Sequence, residues 1–289
     1  MTQLRLPRAH DMLIRFGCEL IFGDAYQVPL ILMLQSQPGR GQRLLKPDAL
    51  RIDPYVPASF YVDEFGNTCS RVRAPATQIH VSTDGILEDS GLPEAEAWNA
   101  AEVPVNELPP ECLRYLLASR YCETDLLMND AWRLFGHVAG GWNRVQTICD
   151  FVNRHVVFGY QYARTTKTAY DTFQERNGVC RDLAHLAIAF CRCLNIPARY
   201  CSSYLGDIGV PPVDAPMDFA ACMEVYLDGG WHTFDPRNNM RRIGRLMVAR
   251  GRDAADVAIS TAFGGCYLQS FKVHTELVGA DEATAARAA

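Results

Sequence analysis

The first hundred residues alternate between short apolar runs and turn residues. The runs are Met12 to Phe22, Val28 to Leu34, Ala58 to Val62, Cys69 to Val72 and Thr77 to Val81. Runs this short, bounded by Gly, Pro, Asn and Asp, predict β-strands. Residues 10–100 are therefore expected to form a β-rich unit. Asp63-Glu64-Phe65-Gly66-Asn67 lies between two of the runs and predicts a hairpin loop, because Gly and Asn tolerate positive φ.

Pro104, Pro109 and Pro110 then interrupt the pattern, and proline extends neither a helix nor a central ladder. A domain boundary is expected there. Beyond it the period changes to that of a helix. Asn129 to Leu134, Asn143 to Val156 and Ala169 to Arg176 predict helices, the last stopped by Asn177-Gly178. Cys180 to Leu194 places Leu183, Leu186, Ala187, Phe190, Cys191 and Leu194 on one stripe, predicting a helix with one buried face. Ala198 to Tyr204, Ala221 to Leu227 and Trp231 to Asp235 read as strands, the last two joined by Asp228-Gly229-Gly230. The fold class is α+β: a β-rich unit, a second unit over 105–275 built of helices and an antiparallel sheet, and an Ala-rich flexible tail at 279–289.

Composition narrows the function. At 289 residues, 48% apolar and 21% charged, the chain can fill one large or two ordinary domains. A net charge of -5 leaves no basic stripe to follow a phosphate backbone, so no nucleic-acid partner is expected. Arg5, Arg8, Asp11, Arg15 and Glu19 break up any signal-peptide core, and Val28 to Leu34 falls far short of the about 20 residues a membrane helix needs. No membrane partner is expected, and the expected location is cytoplasmic. The eleven cysteines are scattered and contain no C-x-x-C pair, which fits reduced thiols. No metal and no cofactor are expected.

Among those cysteines Cys180 stands apart, because it follows Gly178-Val179 at the start of the long helix. Unpaired N–H groups and the macrodipole favour an anion there and so lower a thiol pKa from its usual value of about 8.5. The competing reading is a small buried hydrophobe, which also fits Cys149, Cys191, Cys201 and Cys222.

Three ordered motifs carry a resemblance: Gly178-Val179-Cys180-Arg181-Asp182-Leu183-Ala184-His185, then Asn195-Ile196-Pro197-Ala198-Arg199-Tyr200, then Trp231-His232-Thr233-Phe234-Asp235-Pro236-Arg237-Asn238. Together they resemble the bacterial transglutaminase-like family of cysteine peptidases, which also has a β-rich N-terminal domain. The resemblance implies a papain-like core with Cys180 as nucleophile and Asp235 as acid. It implies a peptidase or amidase that cleaves peptide amide bonds through a thioester on Cys180, with a peptide or protein substrate.

One position departs. The family histidine begins a stretch that here reads Ala220-Ala221-Cys222-Met223-Glu224-Val225-Tyr226, so Ala220 stands in its place. The imidazole would both ionise the thiol and protonate the leaving group. The alternative function is therefore a non-catalytic peptide-binding pseudoenzyme that keeps the cleft. His232 is the substitute base to test. It lies three residues before Asp235, and strand alternation points the two to opposite faces. The same alternation opposes a metal site built from Cys180, His232 and Asp235. His185, about 140° around the helix from Cys180, reads as internal packing. Gln174 is a candidate oxyanion donor, Asn238 and Asn239 read as a turn, and Arg237 as the ion-pair partner of a core acid. Oligomeric state is not set by these patterns.

Overall fold

The computed structural model describes residues 12–214 and 216–279. In chain order the strands of the first part are β1 (Met12–Gly23), β2 (Pro29–Leu32), β3 (Gln42–Lys46), β4 (Arg51–Asp53), β5 (Ser59–Val62), β6 (Thr68–Arg73) and β7 (Ile79–Asp89). The helices α1 (Pro110–Leu113), α2 (Thr124–Phe135) and α3 (Trp142–His155) follow, then β8 (Val157–Phe158), α4 (Ala169–Glu175), β9 (Asn177–Gly178) and α5 (Cys180–Cys193). The chain continues through β10 (Ala198–Tyr204), β11 (Ala220–Leu227), β12 (Gly230–Phe234), β13 (Leu246–Gly251), β14 (Ser260–Ala262) and β15 (Tyr267–Leu277).

The α+β reading holds. One antiparallel sheet has the order β15-β1-β7-β3, with β4 also on β7; a second runs β14-β2-β6-β5; the third, β12-β11-β10-β13, belongs to the helical half. The missed strands have a physical reason. β3 and β4 are short and at most half-buried, and β7 alternates polar with apolar residues up to Asp84, which hides its length. Asp63 closes the predicted hairpin between β5 and β6, its Oδ1 accepting from the N–H groups of Phe65 and Asn67 at 2.9 and 2.8 Å.

The expected division at 105–275 does not follow the sheets. β14 pairs with β2 and β15 pairs with β1 over almost its whole length, from Ile14↔Leu277 to Gly23↔Tyr267. The last strands therefore complete the N-terminal sheets. Of the predicted tail, residues 280–289 lie outside the described residues.

Helix α5 is the axis of the second half, and here the expected single buried stripe falls short. Every residue from Asp182 to Cys193 is buried. The sheet strands β10 and β11 cover one side and α2, α3 and α4 the others, so polar members of the helix need internal partners. Arg192 finds them in the carbonyls of Ala198, Leu117 and Arg252 and the hydroxyl of Ser119. At the N-terminus the buried Asp182 carboxylate accepts from the Val179 N–H at 3.0 Å, satisfying one end group and fixing where the helix begins. Upstream, Thr168 and Asp171 form a reciprocal capping box at the start of α4. That helix ends on Arg176 at φ 56, just before the predicted Asn177-Gly178 stop. These two caps together set the position of Cys180.

Candidate active site

Cys180 is the first residue of α5 and is half-buried. Two cavities of about 390 Å³ each meet at its side chain, sharing Tyr160, Asp218, Phe219 and Ala221 as common walls. The thiol thus lies in the middle of a continuous groove and not at the end of a blind pocket. The backbone N–H of Ala221, the second residue of β11, is close enough to the sulfur to favour its anion.

Sequence reasoning expects a lowered thiol pKa here, and the surroundings reverse that. Burial pushes the Cys180 thiol up, and the nearby Asp218 and Asp235 carboxylates add to the rise. The Ala221 N–H and the Arg237 guanidinium oppose it without overcoming it. Desolvation of a charged thiolate here outweighs what the helix N-terminus offers it. Cys180 therefore rests as a thiol.

Ala220 opens β11 opposite Ser203 of β10 and lines the groove beside Cys180. No described histidine lines either cavity. His232 sits on β12 opposite Val225, edge-on to Trp142 at 5.6 Å, with Nε2 at 3.2 Å from the Leu227 carbonyl. It faces a different surface from the groove. His185 is buried between Tyr121 and Tyr200, and its Nε2 accepts from the Ala254 N–H at 3.1 Å. Burial holds it well below the usual imidazole pKa, in the neutral form.

Asp235 is buried directly after β12, and its oxygens are fully engaged. Oδ2 accepts from Arg245 Nη2 at 2.6 Å and from Asn238 Nδ2 at 2.7 Å; Oδ1 accepts from the backbone N–H groups of Arg237 and Asn238. Burial alone would raise this carboxyl, but the Arg245 charge and the Asn238 hydrogen bonds outweigh it and hold it below the ordinary value. Arg245 also reaches Ser203 Oγ at 3.3 Å, and Ser203 donates to the Ala220 carbonyl at 3.0 Å. The acid is thus linked to Ala220 through the buried Arg245 guanidinium and the Ser203 hydroxyl.

The remaining candidates separate. Gln174 is exposed on α4 and lines neither cavity, whereas Gln161, which sequence reasoning missed, does line one. Asn238 and Asn239 form the expected turn, Asn239 with φ 48. Arg237 departs from its expected ion pair: it lies over the Phe158 ring at 4.2 Å and donates to Asn238 Oδ1 at 3.2 Å. Asp218 was not foreseen, because a lone Asp in the Pro-containing loop before β11 carries no periodic signal. Among the described residues no group of three or more His, Cys, Asp or Glu side chains is arranged to hold a metal ion. No helix among them is long and apolar enough to cross a membrane.

Comparison with known proteins places this arrangement. The family model for the transglutaminase-like superfamily matches residues 136–236, which include both Cys180 and Asp235. An uncharacterised protein of Mycobacterium leprae is 35% identical over 95 residues, covering 30% of this chain and 32% of that protein. An uncharacterised protein of Mycobacterium bovis is 31% identical over 237 residues, 72% of this chain and 73% of its own length. Among solved structures, a candidate cysteine protease from Cytophaga hutchinsonii superposes with TM-score 0.79 at 28% identity, covering 93% of this chain and 92% of the other. The family model, the mycobacterial relative matched over most of both chains and the superposed structure together show that the chain belongs to the transglutaminase-like superfamily.

Proposed function

We propose that the protein is a cysteine hydrolase that opens peptide amide bonds through Cys180. The observation that carries this reading is the position of the thiol, midway along an open groove, with the Ala221 N–H close to its sulfur. In the proposed cycle Sγ adds to the amide carbonyl carbon and the C–N bond breaks. The thiol proton leaves with the amine, and water then hydrolyses the thioester, restoring the S–H. The raised thiol pKa leaves little thiolate at neutral pH, so turnover increases toward alkaline pH.

A second reading, a peptide-binding module without turnover, is favoured by one specific observation. Asp235, the family's orienting acid, is committed to Arg245 and Asn238, and Ala220 leaves it no imidazole to orient. The two readings part on a single measurement. Incubation with a peptide thioester between pH 6 and pH 10, followed by mass spectrometry of the Cys180 peptide, should find an acyl adduct that Cys180→Ser lacks. Peptide binding with no adduct at any pH would favour the binding module and overturn the hydrolase.

A further inference from the structure

Strand β5 is the edge of its sheet, since the order β14-β2-β6-β5 places no described strand on its far side. All of its residues are exposed, Phe60 at 58% and Val62 at 68%. Native edge strands are normally blunted by charged side chains, a proline or a bulge. Ser59-Phe60-Tyr61-Val62 has no charge and no proline, and it pairs with β6 without a register shift from Ser59↔Arg71 to Val62↔Thr68. The opposite edge, β14, is Ser260-Thr261-Ala262 and offers no large apolar side chain.

The hairpin fixes which backbone groups of β5 are free. The Asp63 N–H donates inward, to the Asn67 carbonyl at 3.0 Å. Backbone groups alternate sides along an antiparallel strand, so those of Ser59 and Tyr61 also face β6, and those of Phe60 and Val62 face outward. An incoming strand therefore meets the N–H and C=O groups of Phe60 and Val62. Their side chains share one face of the strand and are both uncovered.

We propose that β5 pairs antiparallel with β5 of a second copy of this chain, about a two-fold axis that sets Tyr61 against the partner's Tyr61. Phe60 then lies opposite the partner's Val62, and Val62 opposite the partner's Phe60, each pair exchanging two backbone hydrogen bonds. An aromatic side chain against a β-branched one is a favourable cross-strand pair, and each covers the other. Charge selects both the occupant and the register. Arg71 stands opposite Ser59, and its Nε donates to Ser59 Oγ at 3.3 Å; no described carboxylate pairs with it. In this register Ser59 faces the partner's Asp63. That carboxylate is engaged only by the Phe65, Asn67 backbone and Asn67 side-chain N–H groups of its own loop. The two-fold brings it beside the Arg71 guanidinium, and does so at both ends of the paired strands. Two four-stranded sheets become one continuous sheet with β14 at each outer edge, which presents nothing apolar to extend it, so assembly closes at the dimer.

Sedimentation velocity of the full-length chain over about 1–100 μM should show a monomer–dimer equilibrium, as suits a small interface. Val62→Pro deletes an N–H that faces away from β6 and so spares the fold's own ladder. It should abolish the dimer while the near-ultraviolet circular dichroism stays unchanged. Arg71→Glu sets like charges together and should weaken the dimer about tenfold. Cross-linking reads the register, because Cα atoms of a hydrogen-bonded antiparallel pair lie about 5.5 Å apart, within reach of a disulfide. Diamide should join Phe60→Cys chains to Val62→Cys chains in a mixture, at those residues by peptide mass spectrometry, and should join neither variant to itself. A wild type that stays monomeric over the whole range, assemblies larger than a dimer, a dimer undiminished by Val62→Pro or Arg71→Glu, or failure of the mixed cross-link each overturns the proposal.

Discussion

At the scale of single residues, the chemistry proposed for Cys180 turns on Ala220, which lines the groove beside it. No described histidine lines the groove around the thiol, and burial pushes its pKa up. Below that pKa the thiolate fraction grows about tenfold per pH unit. Alkylation of Cys180 by iodoacetamide should therefore climb steeply from pH 7 to pH 9, read by peptide mass spectrometry with Cys180→Ser as control. Ala220→His should flatten that slope by placing an imidazole beside the sulfur. A flat profile in the wild type would mean that another group ionises the thiol. Asp235 now has a structural duty. Asp235→Asn leaves Arg245, which is 2% exposed at its side chain, with one of its two carboxylates gone. Breaking a buried pair costs about 3–5 kcal/mol, so urea melts should place the loss beside that of a core deletion. The sign with pH follows from the lowered carboxyl. The stabilisation is present above the ordinary aspartate pKa of about 3.9 and disappears as pH falls through the folded-state value. The acid limb of the wild-type stability curve should be shallower in Asp235→Asn.

At the scale of elements, legibility in the sequence tracks how far each element's surroundings are local. α4 and the hairpin of β11 and β12 carry their own signals, in Thr168 with Asp171 and in Asp228-Gly229-Gly230, and they fold where those signals lie. α5 was visible as a helix, but its burial on every side depends on α2, α3 and α4, which no stripe records. The same division runs through the site. Cys180 and Asp235 are legible because they sit in ordered motifs on or directly after regular elements, whereas Asp218 lies in a loop and Gln161 in a single 3-10 turn, and neither is. Packing around α5 gives a direct test. Leu186 is fully buried, and Leu186→Ala should cost about 2–5 kcal/mol by opening a cavity. A loss below about 1 kcal/mol in the same melts would mean that the neighbouring helices collapse into the space.

At the scale of the whole molecule, proline punctuation suggested a separable second half, and the strand pairing opposes it. β15 has β1 as its partner and Val273 is buried on that shared sheet. A chain beginning at Val105 would leave this long strand with an unpaired edge and exposed apolar residues. It should aggregate or lack near-ultraviolet circular dichroism, while further removal of residues 260–289 should restore solubility. A well-folded, soluble 105–289 chain would show that β15 can find other partners.

The pairing of the first strand with the last also governs how the protein can be made. Synthesis proceeds from the N-terminus at about 5–20 residues per second, so β1 emerges long before Tyr267 to Leu277 exist to cover its edge. For at least ten seconds or so at those rates the nascent chain carries a mostly apolar strand with one side open, and the closing contact spans nearly the full sequence. Contacts of such separation form slowly. The burden of keeping β1 from pairing with a neighbouring nascent chain then falls on the interval before termination, and yield during rapid expression should depend on temperature and on chaperone supply more than on the stability of the finished fold.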